Sequence, residues 1–245
     1  MNEKTKIAVI TGGATGLGFA MARALKARGD EIVLLDQNEE KVKNAEKELG
    51  AAATFCADVT DENAIQNAMK NIEKNVGAIS ILINSAGITG QTNVPSHEVD
   101  AANFELVWRI NTLGCFHTSK AVLPKMLERG YGRILHIASI SGKEGNAGMV
   151  SYSVSKAAVI ALAKVQGKET AGSGVTVNAL APAVVRTEMV AALPPEQVKY
   201  MTDKIPMNRC GTLEEVAAMA AFITSPENSF TTGFCFDLSG GRATY

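Results

Sequence analysis

Cysteine is scarce in this chain of 245 residues. Cys56, Cys115, Cys210 and Cys235 are scattered, and no two stand in CxxC spacing. That argues against a disulfide framework or a thiolate zinc site and fits reduced core thiols in a cytoplasmic protein. Histidine is scarcer still. His97, His117 and His136 fall in a loop, a helix and a strand without HExxH or other ligand spacing, so no metal is expected. Excess charge is also missing. The formal net charge is -1, which leaves no basic footprint for nucleic acid. No apolar run approaches the roughly 20 residues of a membrane span. The opening MNEKTKIAVI lacks the longer apolar stretch and cleavage site of a secretory leader. A GxSxG nucleophile elbow is absent, and no pair of carboxylates has spacing that marks a glycosidase. A small molecule remains as the expected partner.

What is present is an ordinary globular mix, 46% hydrophobic and 20% charged, enough for a sizeable core. Short aliphatic or β-branched runs recur at 6–11, 31–36, 53–58, 79–84, 132–139, 175–182 and 233–239. Most are continuously apolar, as in strands buried on both faces of a parallel sheet. Helical segments alternate with them at 17–28, 38–48, 61–75, 101–129, 152–172 and 213–224. The alternation predicts right-handed βαβ units in an α/β fold, a doubly wound seven-stranded parallel sheet with helices on both faces. No linker divides the chain, so residues 1–245 read as a single domain. Thr212 precedes Glu215 by three positions, the pattern of a capping box. The irregular stretch at 188–210, with Pro194, Pro195 and Pro206, reads as a substrate lid or else as a surface helical hairpin.

TGGATGLG follows the first strand and opens the first helix. Gly12, Gly16 and Gly18 let the backbone turn sharply and approach a ligand, and free N–H groups at a helix start favour a pyrophosphate. Asp36 closes the second strand. A carboxylate there accepts hydrogen bonds from both adenosine ribose hydroxyls and repels a 2′-phosphate, so NAD is favoured over NADP. The plainer alternative is a cap for the helix near residue 38. Asp58 and Val59 end the third run within reach of an adenine edge. Asn84 to Gly87, NSAG, end the fourth on small residues that let backbone pass close to a ribose.

Ser139 ends the fifth run, Tyr152 follows 13 residues later, and Lys156 stands four beyond Tyr152. Four residues is one helical turn, which brings phenol and ammonium onto one face. A free tyrosine, with a pKa of about 10, is a poor base near neutrality. A neighbouring ammonium favours the phenolate. Ser139 then holds the reacting oxygen against the phenol, and Tyr152 takes the hydroxyl proton as hydride leaves the alcohol carbon. Taken singly, the tyrosine reads as packing, the lysine as surface charge and the serine as a turn former. Their order after a dinucleotide turn is what makes them a site.

With these residues in view, the sequence resembles the short-chain dehydrogenase/reductase family over essentially its whole length, which implies a Rossmann fold and one dinucleotide-binding and catalytic domain over residues 1–245. The likeness rests on TGxxxGxG at 11–18, Asp36, Asp58, NSAG, Asn111, Ser139, Tyr152 with Lys156, and the segment from Pro182 to Thr187. The resemblance implies that Gly12, Thr15, Gly16, Leu17, Gly18, Asp36, Asp58, Val59, Asn84, Ala86, Gly87, Tyr152 and Lys156 bind NAD. It implies further that Pro182 binds the cofactor, that the backbone near Val185 and the Thr187 hydroxyl hold the nicotinamide carboxamide, that Lys156 also binds the nicotinamide ribose, and that Asn111 holds a water linking Lys156 to solvent as a proton relay. Two positions depart from the usual family pattern: Ser85 where Asn is common, and Ala183 where Gly is common.

For the substrate, Ser139, Ser141, Asn146 and Tyr152 are the candidates. The wall is the 140–148 loop, which also carries Lys143 and Glu144, with Arg186 nearby in sequence. Such a polar wall suits a hydroxylated or carboxylated molecule. Within the family, the stretches 165–189 and 231–245 are similar to bacterial dehydrogenases that oxidise 2-keto-3-deoxy-L-fuconate or -rhamnonate at the C4 hydroxyl. The alternatives are a 3-oxoacyl-(acyl-carrier-protein) reductase-like enzyme and a non-catalytic NAD sensor or scaffold. The resemblance also implies a homotetramer, in which the tail GGRATY places Arg242 or Tyr245 near a neighbouring subunit's site.

Overall fold

Each aliphatic run becomes a strand in the computed structural model, which describes residues 5–192 and 194–245. The strands are β1 (Ile7–Thr11), β2 (Glu31–Asp36), β3 (Ala53–Cys56), β4 (Ile79–Asn84), β5 (Gly132–Ile137), β6 (Val175–Pro182) and β7 (Cys235–Leu238). They form one sheet in the order β3-β2-β1-β4-β5-β6-β7, and every pairing is parallel. Neighbouring residues point to opposite faces, and both faces are covered, which is why the runs are apolar throughout. On one face Val9, Val33, Leu82, Ile134 and Val177 pack with Ile65, Met69, Val122 and Val159. Those last four belong to helices α3 (Glu62–Asn75), α5 (Gly114–Arg129) and α7 (Val150–Thr170). On the other face Ala8, Ile10, Leu34, Ile81 and Leu135 meet Met21, Leu25, Val42, Val216 and Ala220. These come from α1 (Gly16–Arg28), α2 (Glu39–Leu49) and α10 (Leu213–Ile223).

Helix starts follow their side chains. Asn38 and Asp61 cap α2 and α3 by accepting from Lys41 N and Ala64 N. Thr212 and Glu215 make the reciprocal capping box of α10 that their spacing predicts. No helix of the described residues is long and apolar enough to cross a membrane.

Two segments differ from expectation. The helix expected over 101–129 is interrupted: α4 (Ala101–Trp108) passes through a π-helical turn, Arg109–Leu113, before α5. The wider turn lies on the seam with α7, where Asn111 and Thr112 both bond to Ser155. The supposed 140–148 loop begins with a helical turn, α6 (Ile140–Glu144), because Ser139 turns out of β5 and caps it. The 188–210 region contains α8 (Glu188–Ala191) and α9 (Pro195–Thr202), with Leu193 outside the described residues.

Strand order reverses between β1 and β4. Chain connections leave to opposite sides there and open a crevice at the carboxyl ends of the strands.

Candidate active site

A cleft of about 950 Å³ fills that crevice. Its floor is the glycine turn. Gly12 takes φ +61°, and a Cβ there would stand 2.8 Å from the backbone of Ala86; a Cβ on Gly18 would run into the Gly12 carbonyl. Both glycines allow backbone to meet backbone. Gly16, at φ +55°, has open space where a Cβ would point. Thr15 ends the turn with extended backbone and makes no side-chain cap, so the first N–H groups of α1 lack a side-chain partner at the cleft. Thr11 ties the two strands at the switch point: its Oγ1 accepts from Ser85 N and Ala86 N, each at 3.2 Å.

Asp36 lines the cleft with both oxygens on main chain. Oδ1 accepts from Asn38 N at 3.1 Å and Oδ2 from Ala14 N at 3.4 Å. Asn38, not Asp36, caps α2. Asp58 is exposed in the same cleft, and Val59 beside it is buried, its carbonyl meeting His117 Nδ1 at 3.0 Å. Ser85, Ala86 and Gly87 line the opposite wall. Asn84 is different: its side chain faces the core, where Nδ2 donates to His136 Nδ1 at 3.0 Å and Oδ1 accepts from Thr118 Oγ1 at 2.7 Å. Only its main chain is left for a ligand.

That inward turn belongs to a buried network the sequence did not announce. Because Asn84 donates to Nδ1, the His136 proton sits on Nε2 and is donated to Gln166 Oε1 at 3.1 Å. Gln166 Nε2 in turn donates to Ser119 Oγ at 2.8 Å. Burial holds the His136 pKa down to about 4, so the ring is neutral at pH 7. Burial likewise pushes the Cys115 thiol up to about 11, which leaves it inert.

Lys156 joins the end of β5 to Tyr152 on α7. Lys156 is buried, and its Nζ donates to the Ile137 carbonyl at 2.6 Å. The same Nζ lies 5.7 Å from the centre of the half-buried Tyr152 ring. Ser139 Oγ accepts from Ser141 N at 3.1 Å, which leaves its own hydrogen available to a ligand oxygen. Asn111 is fully buried in the π-helical turn. Its Oδ1 accepts from Ile88 N, and its Nδ2 donates to Ile88 O and Ser155 Oγ, at 2.9, 2.9 and 3.0 Å. Both amide hydrogens are therefore used, so a water at Asn111 is left the second lone pair of Oδ1 or the main chain. A Cβ on Gly87 would stand 3.1 Å from Asn111 Oδ1 and 3.5 Å from Lys156 Nζ. Glycine keeps that approach open.

Thr187 lines the cleft while capping α8 through Oγ1. Pro182 and Val185 are buried, and Val185 bridges to Gly211.

The supposed substrate wall is more committed than its polarity suggested. Ser141 is buried and accepts from Asn146 Nδ2 at 2.7 Å. Lys143 pairs with Asp237 at 2.8 Å, and its Nζ lies 4.9 Å from the centre of the Tyr245 ring. Glu144 pairs with Arg242 at 2.8 Å. Arg186 stays exposed, beside a separate hollow under α9. The tail is held within its own chain: Arg242 bonds to Glu144 and Asn146, and Tyr245 to Lys143. Opposite charges in α6 and the tail draw the segment home, which spacing along the sequence cannot reveal.

Known proteins share this architecture. A family model described as enoyl-(acyl carrier protein) reductase matches residues 12–242. A 2-dehydro-3-deoxy-L-rhamnonate dehydrogenase (NAD(+)) from Sphingomonas sp. (strain SKA58) is 46% identical over 240 residues, covering 98% of this chain and 96% of that protein. A 3-oxoacyl-[acyl-carrier-protein] reductase from Salmonella typhimurium is 35% identical over 242 residues, covering 98% of both chains. Among solved structures, an NAD+-bound xylitol dehydrogenase superposes with a TM-score of 0.91 at 30% identity, covering 98% of this chain and 100% of that one. Sequence motif, strand order and full-length similarity agree, and the chain belongs to the short-chain dehydrogenase/reductase family.

Proposed function

We propose that this chain is an NAD-dependent dehydrogenase that oxidises the C4 hydroxyl of a 2-keto-3-deoxy sugar acid, L-rhamnonate- or L-fuconate-derived, in sugar-acid breakdown. The near full-length 46% identity to the rhamnonate-series dehydrogenase carries this reading. The cleft suits a dinucleotide, with an open glycine turn, free helix N–H groups and a carboxylate at a strand end. Gly12, Thr15, Gly16, Leu17 and Gly18 hold the pyrophosphate. Asp36 accepts from the adenosine ribose, Asp58 and Val59 border the adenine, and the main chain of 84–87 lies along the ribose. Pro182, Val185 and Thr187 hold the carboxamide. Bound NAD supplies the hydride acceptor. Tyr152 removes the hydroxyl proton, and Ser139 donates its free hydrogen to the reacting oxygen. Lys156, anchored on Ile137 O, holds the ribose and stabilises the charge that develops on the phenol oxygen. Asn111 staples the turn after β4 to α7 beside Lys156 and borders the proton path to solvent.

The second reading, a 3-oxoacyl-(acyl-carrier-protein) reductase, draws on the 35% identical relative and is opposed by the Asp36 charge where a 2′-phosphate would sit. Retention of Ser139, Tyr152 and Lys156 opposes a non-catalytic sensor. Residues 1–245 act as one domain, with 188–210 closing over the substrate. Exposed Leu106, Phe116 and Val154 on α4, α5 and α7 support a homotetramer, and the scattered reduced thiols support a cytoplasmic location.

The test is NADH formation from 2-keto-3-deoxy-L-rhamnonate and -fuconate, with NADPH-dependent acetoacetyl-CoA reduction as the competing assay. Turnover of a sugar acid that disappears in Tyr152→Phe is expected. Faster acetoacetyl-CoA reduction with NADPH would replace the first reading with the second.

A further inference from the structure

The C-terminal segment, residues 239–245, turns back between both walls of the expected substrate site. Gly240 and Gly241 make the turn with φ of +63° and +89°, left-handed backbone that favours glycine. On one side the Gly240 carbonyl accepts from Met207 N at 3.2 Å, at the end of the lid region. Past the turn Ala243 is buried, and its N–H donates to Ser239 Oγ at 3.0 Å. Arg242 is held between these anchors with its side chain only 13% exposed. Its Nε donates to Glu144 Oε2 and its Nη2 to Asn146 Oδ1, both at 2.8 Å.

An amide side chain has one accepting and one donating side. With Oδ1 of Asn146 held by the guanidinium, Nδ2 faces Ser141 and donates to its Oγ at 2.7 Å. The Asn146 main-chain N–H donates to Ser153 Oγ at 3.1 Å, one residue beyond Tyr152. Ser141 N–H then donates to Ser139 Oγ. Gly142 brings α6 against α7 in the same place: a Cβ there would stand 2.5 Å from the Lys156 carbonyl carbon.

We propose that Arg242 is a positioning residue for the reaction. It fixes the Asn146 amide and, through Ser141, the Ser139 hydroxyl against Tyr152, while the same tail braces the lid through Gly240. This rests on reading Ser139 and Tyr152 as the reacting pair. Arginine suits the task because its planar fork holds Glu144 and Asn146 together, whereas lysine offers a point charge.

Hydrogen exchange and steady-state kinetics on the full chain with NAD test it. In Arg242→Ala, amide exchange over 139–147 should quicken about tenfold while 7–36 stays unchanged. The kcat/KM for the sugar acid should fall about 10- to 100-fold, mainly in kcat, since a small misplacement of a reacting group is costly. Arg242→Lys should recover little of that loss. The double variant Asn146→Ala with Arg242→Ala should be no worse than Asn146→Ala alone, because both act through one amide. Unchanged exchange over 139–147 overturns the proposal whether or not a sugar acid is turned over, and additive losses in the double variant overturn it too. If the wild type turns over no sugar acid while the exchange response appears, the substrate reading fails and the positioning by Arg242 stands.

Discussion

At the cofactor end of the cleft, from Gly12 to Asp36, contacts run mainly through main chain. Gly12 meets the Ala86 backbone, Gly18 meets the Gly12 carbonyl, and the Asp36 carboxylate rests on two backbone N–H groups. At the substrate end, side chains hold side chains across long stretches of sequence. Lys143 with Asp237 spans 94 positions and Arg242 with Glu144 spans 98. A backbone cradle needs only glycines at fixed spacing after a strand, so a short motif announces it. A side-chain brace needs partners from two distant segments, and neither segment is marked by its neighbours. The first kind of site suits a ligand shared by a whole family; the second can be re-paired without disturbing the sheet.

The largest expected effect falls where the two ends meet. Tyr152→Phe should lower kcat about 100- to 10,000-fold with a much smaller change in cofactor affinity, measured by NADH formation and by titration of NADH fluorescence. Equal losses in affinity would show that the two ends are not separable.

His136 is where the cofactor end departs from the comparison, since it supports Asn84 from beneath through side chains. Below pH 6.5 the unfolded chain binds a proton at this histidine, while the folded chain does not until about pH 4. The unfolded state therefore binds more protons in that window, and stability falls as pH falls. At ~1.4 kcal/mol per pH unit, the interval from 6.5 to about 4 amounts to about 3 kcal/mol. Urea unfolding between pH 7 and 4 checks this. His136→Gln should flatten the slope, and identical curves for the two proteins would remove His136 as its cause.

Gly18→Ala attacks the backbone cradle directly. The added methyl strikes the Gly12 carbonyl, which has no flexible end to move aside, at a cost of about 1–3 kcal/mol. The same substitution at Gly16 lacks that clash but strains a positive φ, so weakened NAD binding should be larger at Gly18 if close approach dominates. The smallest effect belongs to Asp36→Ala. Removing the carboxylate, with Arg23 and Lys41 still lining the cleft, should shift the NADP-to-NAD ratio of kcat/KM by about tenfold towards NADP. An unchanged ratio would place cofactor choice elsewhere.

Much of the sheet was legible because strands buried on both faces are apolar at every position, as in IAVIT and EIVLLD. Their ends were less so: the fifth run stops at Ile137 instead of Ser139, because Ser139 leaves the strand to cap α6. The π-helical turn at Arg109–Leu113 has no signature in RINTL, and its side chains bond to Ser155 of α7, 43 and 44 positions away. Asn84 read as a cofactor residue within NSAG, yet its side chain answers to His136, 52 positions away. The polar residues at 141–146 looked like a ligand-facing wall, and their partners in β7, in the tail and among themselves account for that polarity.

By itself the sequence determined the order of strands and helices, the glycine cradle, the acidic strand end at Asp36 and the one-turn spacing of Tyr152 and Lys156. Each depends on residues that are neighbours in the chain or repeat with the period of a strand or helix. Tertiary structure alone decided which way Asn84 faces, that His136 is neutral and buried, and that the tail returns to Glu144 and Asn146 of its own chain. Those outcomes depend on which distant groups can satisfy one another once water is excluded.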